Sequence, residues 1–162
     1  MDTSSTPDSY PRDLPVADPM ATDATVAEDR HGLEVLTVDA CYSLLSMTPI
    51  GRVAFVYKGE SAILPVNFFL DGKAVVFRTG AGAKLDSAER GHPMAFEADG
   101  YDEQSRAGWS VLVRGVPEVV WSKELEERYD LSGLAPWAEH SERGSWLRLS
   151  PSSITGRRIR RR

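Results

Sequence analysis

The sequence contains a single cysteine, Cys41, among its 162 residues. One thiol cannot form an intramolecular disulfide, and it excludes the multi-cysteine ligand sets of structural zinc and iron–sulfur sites. Uninterrupted apolar runs do not exceed about five residues, which is too short for a membrane-spanning helix. The acidic, proline-rich N-terminus also lacks the apolar stretch that a secretory signal requires. The sequence therefore predicts a soluble, cytoplasmic protein that does not contact a membrane.

Residues that usually carry chemistry are also scarce. The three histidines, His31, His92 and His140, are far apart, and none has a metal-ligand or catalytic-triad partner at a familiar spacing. We interpret them as exposed loop residues, and Cys41 as a small core residue on the apolar side of a helix. No acid pair and no nucleophile stands out, so we predict no catalytic side chain and no metal site. If the protein is an enzyme, a cofactor carries the reaction.

Charge is unevenly distributed along the chain. Residues 1–30 contain seven acidic and two basic residues, with prolines at positions 7, 11, 15 and 19, which is a composition typical of disordered segments. We therefore divide the chain into an acidic, disordered leader at 1–30 and one folded domain at 31–162. The last six residues, 157–162, include five arginines, and we interpret them as a frayed, solvated terminus. The acidic remainder of the domain argues against a nucleic-acid partner.

Hydrophobic periodicity predicts a mainly β fold with a few small helices. Thr37 is a suitable N-cap for a first helix that ends near Met47. Asp71-Gly72 is the strongest hairpin signal, because both residues tolerate the positive φ angles of a type I′ turn. The predicted strands are 52–57, 62–70, 73–78, 94–98, 109–121 and 146–149, with further helices at 84–90 and 123–129 and an extended tail after residue 151. Together they predict a six-stranded antiparallel barrel.

The segment from Arg78 to Lys84, which reads Arg-Thr-Gly-Ala-Gly-Ala-Lys, is the most informative motif. Two glycines between a strand and a helix let backbone N–H groups approach an anion, and Arg78, Thr79 and Lys84 can add donors. The segment is not a P-loop, because Leu85 follows the lysine, and it lacks the third glycine of a dinucleotide fingerprint. Taken alone, a glycine turn that starts a helix is more often an ordinary structural connection.

The predicted strand 62–70 is irregular. Pro65 removes a backbone donor, so this point is an edge, a bulge or a place where another group docks. Asn67 places an amide between the apolar residues Val66 and Phe68, which equally fits an outward position on an edge strand.

The predicted strand 109–121 begins with Trp109 and Ser110. Its alternation fits a core strand. Both residues lie near its start, where they can also reach a flat ligand, and the two interpretations remain open.

Several segments occur in an order typical of a known family. They are a leading helix, Gly-Arg-Val-Ala-Phe at 51–55, Leu-Pro-Val-Asn-Phe at 64–68, Phe-Arg-Thr-Gly-x-Gly-x-Lys at 77–84, Gly-Trp-Ser-Val-x-Val-x-Gly at 108–115 and Trp-x-Arg-Leu-x-Pro-x-x-Ile-Thr-Gly-Arg at 146–157. Over about residues 33–159 the chain resembles the pyridoxamine 5′-phosphate oxidase-like, FMN-binding split-barrel proteins. Within that family it is most similar to the branch of small proteins that includes nitroimidazole-resistance reductases.

The resemblance implies a six-stranded split β-barrel that forms a homodimer, with two FMN molecules in clefts between the subunits. It places the isoalloxazine edge along the strand at 64–68, and the phosphate and ribityl chain at the turn 78–84. Thr79 and Lys84 correspond to the hydroxyl and basic positions of that turn, Ser110 to a polar residue that reaches the flavin from the partner subunit, and Trp109 and Trp146 to walls of the cleft. We predict that Lys84 is the principal phosphate contact, because it follows two glycines at the start of a helix. The implied cofactor-binding residues are Pro65, Val66, Asn67, Phe68, Arg78, Thr79, Lys84, Trp109 and Ser110.

The resemblance also implies a flavin-dependent oxidoreductase that acts on a small electrophile, such as a nitro-aromatic compound or a quinone. Relatives that oxidise pyridoxamine phosphate have two adjacent basic residues in the turn, whereas here Leu85 follows Lys84. We therefore do not expect vitamin B6 oxidation, and a deazaflavin cofactor or haem remains an alternative to FMN. A module that stores or senses flavin without turnover also fits, because neither function needs a further side chain.

Overall fold

The structure is a computed structural model that describes residues 27–134 and 144–159. The leader up to residue 26, His140 and the arginines at 160–162 lie outside these ranges. Three helices form in the described residues: α1 (Val38–Ser46), α2 (Ala83–Glu89) and α3 (Lys123–Asp130). The strands of the same part of the chain are β1 (Glu34–Val35), β2 (Ile50–Tyr57), β3 (Glu60–Asp71), β4 (Ala74–Thr79), β5 (Met94–Asp102), β6 (Ala107–Gly115), β7 (Pro117–Val119), β8 (Ser145–Leu149) and β9 (Ser153–Ile159).

The strands form one curled sheet in the order β1-β9-β6-β5-β2-β3-β4-β8-β7. Every neighbouring pair in this sheet is antiparallel. The predicted mainly β, antiparallel architecture is confirmed. The predicted number of six strands is wrong, because the described residues form nine.

The additional strands come from segments whose partners are distant in sequence. The predicted strand 109–121 divides at Val116, because β6 lies between β5 and β9 whereas β7 pairs with β8. The predicted tail after residue 151 is instead β9, which pairs with β6 and with the two-residue strand β1. A frayed terminus is therefore wrong for residues 157–159, where Arg157 lies in the ladder opposite Ser110.

Residues 27–30, at the end of the predicted leader, contact the barrel. The N–H of Val35 donates a hydrogen bond to the carbonyl of Ala27 at 2.8 Å. The Asp29 carboxylate accepts from the N–H groups of His31 and Leu33, and from Nε of Arg157 at 3.0 Å. The two backbone donors, and then the guanidinium, lower the pKa of Asp29. Contacts with the folded domain thus begin before the predicted boundary at residue 31.

Helix α1 packs closely against β9. Oγ1 of Thr37 accepts from the N–H of Ala40, which confirms the predicted N-cap, and Cys41 is buried in the core as predicted. A Cβ atom at Gly156 would lie 2.6 Å from Sγ of Cys41 and 2.8 Å from Cδ1 of Leu36. Glycine at this position therefore allows the helix to approach the strand.

The two hairpin turns on either side of β3 differ in type. Between β2 and β3, Lys58 and Gly59 have φ angles of 52° and 82°, which is the pattern of a type I′ turn. Between β3 and β4, Asp71 pairs with Ala74, and only Gly72 of the two central residues has a positive φ, at 61°. The predicted type I′ turn centred on Asp71-Gly72 is therefore wrong; Asp71 belongs to the ladder, and the turn matches type II′.

Alternation along β4 separates two apolar clusters. Val75 and Phe77 point into the main core, whereas Val76 joins a smaller cluster with Tyr129 of α3 and Trp146 of β8. The rings of Tyr129 and Trp146 pack edge to face, with centroids 5.7 Å apart. Among the described residues, no helix has the length and apolarity needed to cross a lipid bilayer.

Replacing Gly156 by alanine is expected to lower the free energy of unfolding by about 1–3 kcal/mol, because the added methyl overlaps Cys41 and Leu36. In the Cys41→Ala background the same replacement should cost less, since the sulfur is removed. Urea titrations of the four proteins in this double-mutant cycle measure the coupling. Strictly additive losses would contradict the close contact between α1 and β9.

Candidate functional site

Strand β3 has two different partners along its length. Its first part, Glu60 to Asn67, pairs with β2, whereas β4 pairs only with Phe68 to Asp71. The side of residues 60–67 that faces away from β2 therefore has no strand partner among the described residues. Pro65 lies in this open edge, opposite Arg52, so a missing donor costs no ladder hydrogen bond there.

The predicted flavin-edge residues alternate along this open part of β3. Val66 and Phe68 are buried in the core, while Pro65 and Asn67 are partly exposed on the other face. Val66 and Phe68 therefore pack in the core, whereas Pro65 and Asn67 lie on the opposite face, in the part of β3 that pairs only with β2.

The glycine turn leads directly from β4 into α2. Thr79 is buried at the end of the strand, and its Oγ1 donates to the carbonyl of Gly80 at 3.2 Å. Gly82 is the N-cap residue of α2, with φ 139° and ψ −166°, a conformation that a residue with a Cβ atom avoids. The turn thus places Lys84 in the first turn of α2 (Ala83–Glu89), beside the end of β4.

Lys84 is a partly buried cation that forms no ion pair with the described residues. Burial lowers the pKa of its ammonium group, because removal from water disfavours the charged form. One turn along α2, Oγ of Ser87 is buried without a hydrogen-bond partner. Positions three apart on a helix are neighbours, so this stretch of α2 has a desolvated donor and an unsatisfied hydroxyl.

Arg78 lies on the opposite face of β4 from Thr79. Its Nε donates to the carbonyl of Gly144 at 3.0 Å, and its guanidinium lies 3.3 Å from Oδ1 of Asp130 and 5.2 Å from the Trp146 ring centroid. Alternation along β4 therefore places Arg78 on the face of the smaller apolar cluster. The sequence left open whether Arg78 reaches a phosphate; in this chain it contacts β8 and α3.

Trp109 and Ser110 line a cavity of about 330 Å³ near the N-terminal end of β6. The indole of Trp109 covers Gly100, where a Cβ atom would lie 2.6 Å from Nε1. Ser110 is exposed on the opposite face of β6, between Asp99 and Arg157 in neighbouring strands. Two strands, β5 and β2, lie between β6 and β3 in the sheet, so one chain does not bring Ser110 next to the open edge of β3.

Sequence reasoning missed a charged group on the outer face of the sheet. Arg52 of β2 forms ion pairs with Glu97, at 3.3 Å, and with Asp99, both on β5. Burial, followed by the negative charge of Asp99, raises the pKa of Glu97, and Arg52 opposes that rise. Glu97 and Asp99 are two positions apart on β5, and this spacing predicts that their side chains lie on the same face of the strand.

An apolar row crosses the same outer face. Ala54 of β2 lies between Ala95 of β5 and Ile63 of β3, and the side chain of Ile63 is 66% exposed. Val56, on the same face of β2, is also exposed. Exposed apolar side chains that adjoin across strands are typical of a protein–protein contact surface.

Comparisons with known proteins find a matching family model, similar sequences and similar structures. The family model described as pyridoxamine 5′-phosphate oxidase matches residues 37–158. Rv0080, an uncharacterized protein of Mycobacterium tuberculosis, is 35% identical over 126 residues, which cover 75% of this chain and 82% of that protein.

Two solved structures extend the comparison. The FAD binding protein from Mycobacterium smegmatis is 34% identical, with a TM-score of 0.64 over 78% of this chain and 97% of that chain. A candidate 5-nitroimidazole antibiotic resistance protein from Bacteroides thetaiotaomicron is 15% identical, with a TM-score of 0.62 over 76% of this chain and 86% of that chain. The second likeness shows the fold alone.

Replacing Lys84 by methionine is expected to raise the thermal midpoint of the flavin-free protein. The folded-state pKa of Lys84 is lowered, so its charge opposes folding at neutral pH and that cost fades as pH rises towards the lysine pKa. The matched control is Lys123→Met, which changes an exposed first-turn lysine of α3 and should leave the midpoint unchanged. A lower midpoint for Lys84→Met would contradict a desolvated ammonium.

Proposed function

The chain belongs to the pyridoxamine 5′-phosphate oxidase family, and from that premise we propose that it binds FMN as a homodimer and acts as a flavin-dependent oxidoreductase. The family and the split-barrel fold expected from its motifs are confirmed. Flavin is proposed because the 34% identical protein from Mycobacterium smegmatis is described as FAD binding. The partly buried ammonium group of Lys84 and the open edge of β3 support the same proposal.

The observation that carries the proposal is the uncompensated charge of Lys84. A partly buried ammonium without a counter-ion in the described chain costs free energy, and a bound phosphate dianion removes that cost. The residues present therefore fit the phosphate of a flavin mononucleotide.

The open edge of β3 suits the flavin ring system. On the side of residues 60–67 that has no strand partner among the described residues, backbone groups can hydrogen-bond the polar rim of a flat heterocycle, much as an added strand would. Trp109 and Ser110 lie too far along the sheet to join them within one chain. In the proposed homodimer a second copy supplies these two residues, and the outer face with Ile63 forms the contact.

Haem fits the proposed site less well than flavin. Haem iron needs an axial ligand, usually His, Cys, Met or Tyr. The site side chains assigned above contain none of these, and Cys41 is buried on the core-facing side of α1. A deazaflavin cofactor with a phosphate fits the Lys84 position as FMN does, and absorbance distinguishes the two.

A bound flavin would supply the electron-transfer chemistry, so the chain needs only to bind, orient and enclose it. Lys84 anchors one end of the cofactor, while the β3 edge fixes the plane of its ring. Substrate of the proposed type, a small nitro-aromatic compound or quinone, needs access to that plane and no acid–base residue. A flavin-binding module without turnover would use the same contacts.

Replacing Lys84 by alanine is expected to weaken FMN binding about ten- to a hundredfold, the usual value of a charge-assisted contact. Riboflavin lacks the phosphate and should lose far less affinity. Fluorescence titrations of both ligands, with Lys123→Ala as the control, measure the difference. Equal losses for the two ligands, or none for either, would remove Lys84 from the phosphate site.

Light scattering of the FMN-loaded protein is expected to give about twice the chain mass of 17.9 kDa. Ile63→Asp places a charge in the exposed apolar row and should produce a monomer that binds FMN weakly. Leu131→Asp, at an exposed position after α3, is the matched control and should remain dimeric. A wild-type monomer with bound FMN would contradict the shared cleft.

Turnover separates the enzyme from the binding module. After reduction by NAD(P)H or dithionite without oxygen, the flavin of an enzyme should reoxidise when a nitroimidazole or a quinone is added. The rate should exceed that of free reduced FMN at the same concentration. Reduced flavin that persists with every acceptor except oxygen would favour storage or sensing.

A further inference from the structure

The cavity of about 330 Å³ near the N-terminal end of β6 is a groove on the outer face of the sheet. Ser110 and Gly108 are two positions apart on β6 and therefore share that face. Their small side chains form the floor, while larger side chains from the paired positions of β5 and β9 form the walls. The wall side chains that share this face are those of Asp99, Tyr101, Arg157 and Ile159.

The Tyr101 ring provides a flat apolar surface at one end of the groove. A Cβ atom at Gly108 would lie 3.0 Å from Cδ2 of this ring, so glycine allows the ring to pack against β6. Tyr101 nevertheless remains 62% exposed, and Ile159, across β6, is also exposed. The Trp109 indole lies on the opposite face, over Gly100. The aromatic surface that a ligand in the groove can contact is therefore that of Tyr101.

The other end of the groove carries more negative than positive charge. Glu97 and Asp99 both line the cavity, and both pair with the single guanidinium of Arg52. Burial, and then the negative charge of Asp99, raises the pKa of Glu97. A second cation beside the two carboxylates would stabilise their charged forms.

The other nearby cations do not neutralise this charge. Nε of Arg157 donates to the Asp29 carboxylate at 3.0 Å, so the charge of Arg157 is balanced on its own side of β6. Arg158 follows it in β9 and alternates to the opposite face. The next outward cation of β6, Arg114, is four positions from Ser110, roughly 13 Å along the strand, which exceeds the Debye length at physiological salt.

We propose that this groove is the substrate site of the proposed oxidoreductase, and that it selects a flat aromatic compound that carries a cationic nitrogen. The ring of that compound packs against Tyr101, and its cation lies beside Glu97 and Asp99. The substrate role rests on the proposed function, in which Ser110 approaches the flavin of the other copy. The selectivity for an aromatic cation rests only on the groove itself.

Calorimetric titration of the full-length protein with para-nitrobenzylamine, an aromatic ammonium compound at neutral pH, tests this selectivity. Two ligands with the same ring serve as comparisons: para-nitrobenzyl alcohol is neutral, and para-nitrobenzoate is an anion. The amine should bind about tenfold more tightly than the alcohol, and the benzoate more weakly than either. Added salt should reduce the preference for the amine, because partly exposed charges are screened.

Two variants separate the contribution of charge from that of the ring. Asp99→Asn removes one carboxylate and leaves Glu97 paired with Arg52, so it should abolish the preference for the amine over the alcohol. Tyr101→Leu should weaken binding of both ligands about fivefold. The matched control is Glu118→Gln, at an exposed position of β7 outside the cavity, which should bind all three ligands as the wild type does.

Measurements with FMN distinguish this proposal from the proposed function. FMN affinity should be unchanged in Asp99→Asn and Tyr101→Leu, because neither residue is assigned to the flavin. In the FMN-loaded wild type, the amine should have a lower KM than the alcohol as an electron acceptor, by about the ratio of their affinities.

Equal affinity for the amine and the alcohol, or an unchanged preference in Asp99→Asn, would overturn the proposed selectivity. A KM that shows no preference would overturn the substrate role. A protein that binds the amine selectively but takes up no FMN would contradict the proposed function, and with it the substrate role, while supporting the groove as a site for aromatic cations.

Discussion

The divided pairing of β3 is the constraint on which the rest of the structure depends. This strand pairs with β2 over its first eight residues and with β4 only over its last four. The sheet therefore separates at this point, and one edge of residues 60–67 stays open. Pro65 lies in that edge, where its missing N–H removes nothing from the ladder and prevents regular pairing with another strand. Strand β4, which pairs with β3 only beyond this point, leads through the glycine turn into the first turn of α2.

The Lys84 ammonium group and the open edge of β3 both suit the same proposed ligand. The ammonium group of Lys84 is partly removed from water and forms no ion pair with the described residues. The side of residues 60–67 that faces away from β2 has no strand partner among those residues either. The proposed flavin mononucleotide would satisfy both, because it carries a dianion at one end and a flat polar rim at the other. The remaining residues assigned to the flavin, Trp109 and Ser110, lie on β6, which is separated from β3 by two strands, and for this reason the proposed function includes a second copy of the chain.

Local signals predicted local structure well. Thr37 as an N-cap, the burial of Cys41 and the irregular position of Pro65 all follow from the chemistry of single residues or short spacings. Errors arose where partners are distant in sequence: β9 forms a strand because β6 and β1 flank it, which no pattern near residue 157 reveals. Arg78 was similarly ambiguous, since its orientation depends on contacts with β8 and α3 that form only in the folded chain. The family motifs predicted the barrel, and they assigned residues to a flavin by position without showing which of these residues one chain brings together.

The visible absorption spectrum of the purified protein tests the central claim most directly, because flavin, deazaflavin, haem and an empty protein give different spectra. The account predicts a yellow protein with the spectrum of a bound, oxidised flavin, either as isolated or after mixing with FMN and removal of the excess. A colourless protein that takes up no added flavin would contradict it. So would a spectrum dominated by haem.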